Sequence, residues 1–208
     1  MFIILKNIFR MFKSGKYSLD SAITKMIIYF MCSDVKIGDG FLSKGITTLH
    51  LKRGSKIIFG SHIVINNCTT QNPIGLNKKS SIAVLGSATL RVGNYTGFSG
   101  VSIYCSNKIE IGNYCNFGGN VFIWDTDFHE LDYLERRKNL FNSEKVKSEP
   151  IKIGNDVFVG ANSIILKNVS IGDRAIIGAG SVITKSIPSD EIWAGNPAKF
   201  IRTIHKEE

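Results

Sequence analysis

His129 stands in the run Asp125-Thr126-Asp127-Phe128-His129-Glu130-Leu131-Asp132, a lone imidazole among carboxylates. An imidazole ordinarily titrates near pH ~6.5, so close to neutrality its free form can take a proton from a hydroxyl. Help of that kind contributes about a hundred- to ten-thousand-fold to a rate. A carboxylate beside the ring can hold its tautomer, and Asp125 and Asp127 are the candidates; either could instead face an acceptor. Other chemistries have less to work with. Cys32, Cys68, Cys105 and Cys115 form no CxxC pair, and neither Cys105 nor Cys115 lies beside a visible base. They read as reduced packing residues of a cytoplasmic protein, with neither a disulfide frame nor a covalent intermediate expected. His50, His62, His129 and His205 show no tight spacing, and no metal site is expected.

The elements that must position His129 repeat every six residues. Blocks begin at Ile153, Val159, Ile165, Ile171, Ile177 and Ile183, and earlier at Ile111, Phe117 and Ile123. With one extra residue at Glu110, they continue back to Tyr104, Phe98 and Val92. All the first positions are apolar in a chain that is 43% apolar, a coincidence of roughly four in a hundred thousand per register, so the period is real. Glycine often follows (Gly154, Gly160, Gly172, Gly178), and the fifth place is mostly small. A short strand and a sharp corner every six residues make a three-sided coil of eighteen, with the aliphatic residue inside. Glycine is expected there for the backbone conformations a corner can need. The regular coils break once, between Phe128 and Ile151, and that excursion begins with His129. A loop of this length in a repetitive domain is usually functional.

Residues 92 to 202 carry a resemblance. The hexapeptide run, followed by Ala194-Gly195-Asn196-Pro197-Ala198-Lys199, resembles the left-handed parallel β-helix acyltransferases, in particular sugar and surface-polysaccharide O-acetyltransferases. The implied fold class is all-β, a left-handed parallel β-helix of hexapeptide repeats with short N-terminal helices and a short C-terminal helix. The implied activity moves acetyl from acetyl-CoA to a sugar hydroxyl in a cell-surface or capsular polysaccharide, or in its precursor. His129-Glu130-Leu131 sits where the sugar acetyltransferases of this family have the same three residues, which implies His129 as general base. The resemblance further implies a homotrimer with acetyl-CoA between subunits. Its pantetheine arm would lie near Ala161 and Ala179, and its nucleotide end near Thr184, Lys185, Lys199 and Arg202. Where the family carries acceptor-binding Asn and Asp, this chain has Gly100 and Ser106. An antibiotic-acetylating enzyme and a non-catalytic β-helix scaffold are the alternatives.

Three parts follow along the chain: a helical cap or membrane-surface segment at 1–34, a β-helix at 35–190 with a protruding loop at 129–150, and a C-terminal segment at 191–208. Over 35–90 the repeat is ragged, which predicts early coils with irregular corners. The 208 residues carry 26 Lys plus Arg against 17 Asp plus Glu, a net charge of +9 that favours an anionic partner without choosing between a phosphorylated cofactor, a membrane surface and nucleic acid; the resemblance implies the cofactor, and no nucleic-acid partner is expected. The first 34 residues mix apolar and basic residues without a run long enough to span a bilayer or a cleavage site for a signal peptide. They predict a pair of helices covering the open end of the coil, or a basic segment on the inner membrane leaflet.

Overall fold

The computed structural model describes residues 2–70, 72–138 and 146–204, with only the backbone path for residues 2–14. His205 lies outside the described residues. The chain winds into a parallel β-helix whose three walls are three sheets. One wall holds β1 (Asp34–Ile37), β4 (Lys56–Phe59), β7 (Thr89–Val92), β10 (Lys108–Ile111), β13 (Ile151–Ile153) and β16 (Ser170–Ile171). The second holds β2 (Leu42–Lys44), β5 (Val64–Asn66), β8 (Gly97–Ser99), β11 (Asn116–Gly119), β14 (Phe158–Val159), β17 (Ile176–Ile177), β19 (Glu191–Ala194) and β20 (Lys199–Thr203). The third holds β3 (Thr48–Leu51), β6 (Ser81–Val84), β9 (Ser102–Cys105), β12 (Phe122–Trp124), β15 (Ile164–Ile165) and β18 (Val182–Ile183).

From β1 to β18, strands pair with those three places away in the chain, because one coil supplies one strand to each wall. Parallel pairing sets like residues over one another. Phe59, Val92, Ile111, Ile153 and Ile171 form one inward column, and Ile82, Ile103, Ile123, Ile165 and Ile183 another. All are buried. Each fully buried Ile contributes about 1.5–3 kcal/mol of transfer free energy, so the columns are the fold's main stabilisation.

Two details of the repeat differ from expectation. First, Ile103, not Tyr104, is the inward residue of β9: it pairs with Ile82 and Ile123, and Tyr104 points outward. The coil from Val92 to Ile111 therefore takes a short corner before β9 and a long one after it, at Ser106-Asn107, rather than a single insertion at Glu110. Period two within the strand overrides the six-residue count, because alternate side chains must leave opposite faces. Second, the repeat glycines serve close approach rather than backbone freedom. The positive φ angles at the first corner fall two residues later, on Tyr95, Tyr114, Asp156 and Arg174. A Cβ on Gly93 would instead come within 2.6 Å of Gly112 in the next coil.

A polar ladder ties these corners together. Ser61 N–H donates to Asn94 Oδ1 at 2.8 Å, Asn94 N–H to Asn113 Oδ1 at 2.8 Å, Asn113 N–H to Asn155 Oδ1 at 2.9 Å, and Asn155 N–H to Asp173 Oδ1 at 2.7 Å. The early coils share the same wall register, and their raggedness comes chiefly from an excursion between β5 and β6.

Both ends depart from expectation. The N-terminus forms one continuous helix, α1 (Phe2–Met31), where a pair was expected. Ser14-Gly15 does not stop it, since an interior glycine costs only about 1 kcal/mol and no proline is present. The helix lies on the first coil: Gly45 N–H donates to Asp20 Oδ2 at 3.0 Å and Ser43 N–H to Ser21 Oγ at 2.8 Å. Sheet-edge N–H groups that no further coil pairs are thus satisfied by side chains. The C-terminus is a β-hairpin, β19 and β20, instead of a short helix. Gly195, at φ 102°, turns the chain back on itself, and β20 then pairs along the edge that β19 presents.

Candidate active site

The coil is left at Asp125. Thr126 forms an antiparallel bridge with Ser148, Glu149 N–H donates to the Asp125 carbonyl at 2.9 Å, and the Asn107 amide donates to the Ser148 carbonyl at 3.1 Å. The two ends of the loop are thus pinned to each other and to the corner of the preceding coil. His129 is exposed just past this root, following Phe128, which adopts φ 64°. Its ring makes no hydrogen bond or ion pair with any described residue.

Neither aspartate expected to orient that ring does so. Asp125 occupies the inward position aligned with Cys105 and is fully buried. Its carboxylate accepts Ser106 N–H at 2.7 Å and Asn107 N–H at 2.8 Å, holding the long corner. Burial pushes its carboxyl above the ordinary range, with the amide bonds acting in the opposite direction. Asp127 turns to Lys167 at 2.8 Å. The two carboxylates are held for separate reasons: Asp125 follows the inward alternation of β12 two residues after Ile123, and Asp127 pairs with Lys167.

Two basic residues that the sequence did not single out organise the loop, Lys167 and Arg136. The Arg136 guanidinium donates to the Glu130 carbonyl at 2.7 Å and the Leu131 carbonyl at 3.1 Å, ordering the stretch directly after His129. Asp132 Oδ1 accepts Leu134 and Glu135 N–H and so starts α2 (Tyr133–Lys138).

Beside the loop root, the outer face of the third wall holds a cleft of about 510 Å³. His50, Ser81, Ser102, Tyr104, Trp124 and Phe128 line it. Strand pairing places His50, Ala83, Tyr104 and Trp124 in one outward column. Phe128 packs on Tyr104 at 4.8 Å and on Trp124 at 5.4 Å between ring centres. The cleft therefore offers aromatic surface, hydroxyls and an imidazole, with no carboxylate in its lining. Its sequence signal was an aromatic residue directly after two stacked inward isoleucines, Tyr104 after Ile103 and Trp124 after Ile123.

Of the expected donor residues, Ala161 and Ala179 stack at one corner on successive coils, where Gly180 N–H donates to the Ala161 carbonyl at 2.8 Å. Their own N–H groups have no partner among the described residues. Lys199 pairs with Ala194, which sits over Gly178 at the head of that column, and Arg202 lies three residues further along β20. Thr184 and Lys185 lie past the far end of β18, across the third wall, so the structure does not gather all four polar residues at one corner. Lys185 and Lys199 form no ion pair with a described residue, and Arg202 donates only to the Thr203 carbonyl. Cys105 and Cys115 are buried; burial raises both thiols, Cys115 to about 11. No three His, Cys, Asp or Glu side chains converge as a metal site among the described residues.

Residues 150–185 match the bacterial transferase hexapeptide family, described as six repeats. That stretch carries the hexapeptide repeat. Protein CapG of Staphylococcus aureus is 46% identical over 90 residues, 43% of this chain and 44% of CapG, so the match spans less than half of that relative. A hexapeptide-repeat acetyltransferase of Vibrio cholerae is 28% identical over 56% of this chain and 64% of its own, with a TM-score of 0.50. Its complex with acetyl-CoA aligns over 92% of this chain and 81% of its own at 21% identity and a TM-score of 0.59. The polySia-specific acetyltransferase NeuO aligns over 83% of both chains at 22% identity, with a TM-score of 0.55. In repeat and fold, the chain resembles the hexapeptide-repeat acyltransferases.

Proposed function

We propose that this chain transfers acetyl from acetyl-CoA to a hydroxyl of a sugar in a cell-surface polysaccharide or its precursor, working as a homotrimer in the cytoplasm. The observation that carries the reading is His129, an exposed imidazole with no hydrogen bond or ion pair to any described residue, directly after Phe128, which lines an aromatic cleft. In the reaction, His129 takes the hydroxyl proton as the oxygen attacks the thioester carbonyl; the tetrahedral intermediate collapses, and coenzyme A leaves as its thiol. Direct transfer is favoured over a covalent step, because raised, buried thiols are poor nucleophiles. The donor's amide-rich arm suits the unpaired N–H groups of Ala161 and Ala179. Its phosphates suit Lys199 and Arg202, with Thr184 and Lys185 reached across the wall. The acetyl-CoA complex of the V. cholerae relative supports this donor, and NeuO supports a glycan acceptor.

The cleft argues against a cationic antibiotic as acceptor. Amino sugars carry ammonium groups that call for carboxylates, and none of the described lining residues supplies one, whereas a pyranose ring can lay its apolar face on Tyr104 and Trp124. Thiol release from acetyl-CoA, followed with a panel of neutral, acidic and amino glycans, tests the reading. Release that depends on a neutral or acidic glycan supports it. No acceptor-dependent release, or acetylation of amines alone, would overturn it. Mass spectrometry of the surface polysaccharide with and without the protein would then identify the acetylated sugar.

A further inference from the structure

Helix α1 is amphipathic the wrong way round for a helix that covers a core. Its buried residues include Asp20, Ser21 and Thr24 besides Ile28, while Leu19 is 62%, Met26 64%, Tyr29 54% and Phe30 88% exposed. At about 100° per residue, Leu19, Ala22, Met26, Tyr29 and Phe30 make one stripe opposite the side that meets the coil. On the polar face, Ser21 and Asp20 satisfy the Ser43 and Gly45 N–H groups. The apolar face of residues 19–30 stays exposed among the described residues. In the sequence, its three-and-four spacing continues back through Phe12, Ile8 and Ile4.

Charge decides what fits that face. Residues 1–34 hold Lys6, Arg10, Lys13, Lys16 and Lys25; Asp20, turned to Gly45, and Asp34, in β1, are their only acids. By helical geometry, Lys16 and Lys25 fall on the two borders of the exposed stripe. An apolar stripe edged by lysines suits the boundary between acyl chains and anionic headgroups, where the rings and aliphatic chains enter and the lysines meet phosphates. A second copy would bring the same positive borders against its own. Helix α1 is not long and apolar enough to cross a membrane, so the fitting geometry is to lie on one.

We infer that the outward face of α1 is a docking surface for an anionic lipid membrane. The polar face of the same helix holds the coil, so docking leaves the β-helix folded and suspended from the surface at its N-terminal end. The inference stands apart from the acyltransfer reading, since its test needs no turnover.

The test is flotation of the full chain with vesicles of phosphatidylcholine, with and without phosphatidylglycerol. The unmodified chain should float with the anionic vesicles, and added salt should weaken the binding. Leu19→Ser/Met26→Ser/Phe30→Ser should cut the bound fraction about tenfold or more, at unchanged Tm because these side chains are exposed. Lys16→Glu/Lys25→Glu should weaken binding selectively for the anionic vesicles. Failure of the unmodified chain to float, undiminished flotation of the triple variant, or loss of self-association in that variant by light scattering would each overturn the inference, the last in favour of a second copy.

Discussion

The Lys167 ammonium lies 2.8 Å from the Asp127 carboxylate, tying the first residues of the protruding loop to the coil that follows. Both side chains are only 21% exposed, and the second Asp127 oxygen is buried without a hydrogen-bond partner among the described residues. Removing the cation should therefore cost more than a surface pair would. Lys167→Met is expected to destabilise by about 1–3 kcal/mol, and Asp127→Asn by less. For a chain of this size each kcal/mol lowers Tm by roughly 2–4 °C. A double-mutant cycle with no coupling between the two positions would show the pair to be incidental.

His129→Ala should reduce turnover about a hundredfold or more while leaving the KM for acetyl-CoA and the melting temperature near their original values. The imidazole supports no described contact, so a large fall in Tm would be unexpected. Near-normal turnover would remove His129 from the mechanism.

Trp124→Ala should raise the acceptor KM about tenfold, because a fully stacked aromatic ring is the kind of anchor that carries binding. The donor KM should stay put, since Trp124 is on the wall remote from Lys199. Steady-state kinetics with each substrate varied in turn make the measurement. Equal effects on both constants would point to general unfolding of the cleft.

Asp125 should leave a signature in the pH dependence of stability. Its folded carboxyl is raised, so the folded chain holds the proton more tightly than the unfolded chain does. Its contribution to stability is therefore full below the ordinary carboxylate range and is lost as pH rises through the raised folded value. Asp125→Asn removes that slope, and it also loses one of two amide acceptors, at a cost of about 1–3 kcal/mol. Thermal melts of both proteins from about pH 4 to 7 supply the comparison. Parallel curves would mean that the carboxyl does not titrate in that window.

If Lys199 and Arg202 hold the ribose phosphate, coenzyme A should be preferred over its dephospho form by about 1.5–3 kcal/mol, expressed in KM with kcat largely kept. Lys199→Ala and Arg202→Ala should narrow that preference, and salt should do the same for so exposed a site. Lys185→Ala should have the smaller effect, because Lys185 stands at the other end of β18. Identical KM values for the two cofactors in the unmodified chain would return these residues to the solvated surface.

The sequence by itself determined the parallel coil, since a six-residue period of aliphatic residues suits neither a helix nor a simple alternating strand. It also determined the place of the loop, because the period breaks there once, and His129 as the residue at the break. What it could not determine was the direction of individual side chains. Six-residue counting set Tyr104 inside, but strand alternation sets Ile103 inside and leaves Tyr104 to build the cleft with Trp124, two coils brought together only by winding. Proximity along the chain suggested that Asp125 and Asp127 serve His129. Only the tertiary structure brings up Lys167, forty residues later, and the Ser106 and Asn107 amides, nearly twenty residues earlier, which claim those carboxylates first. A buried charge takes the partner that space offers, and space here is set by the stacking of coils rather than by distance along the chain.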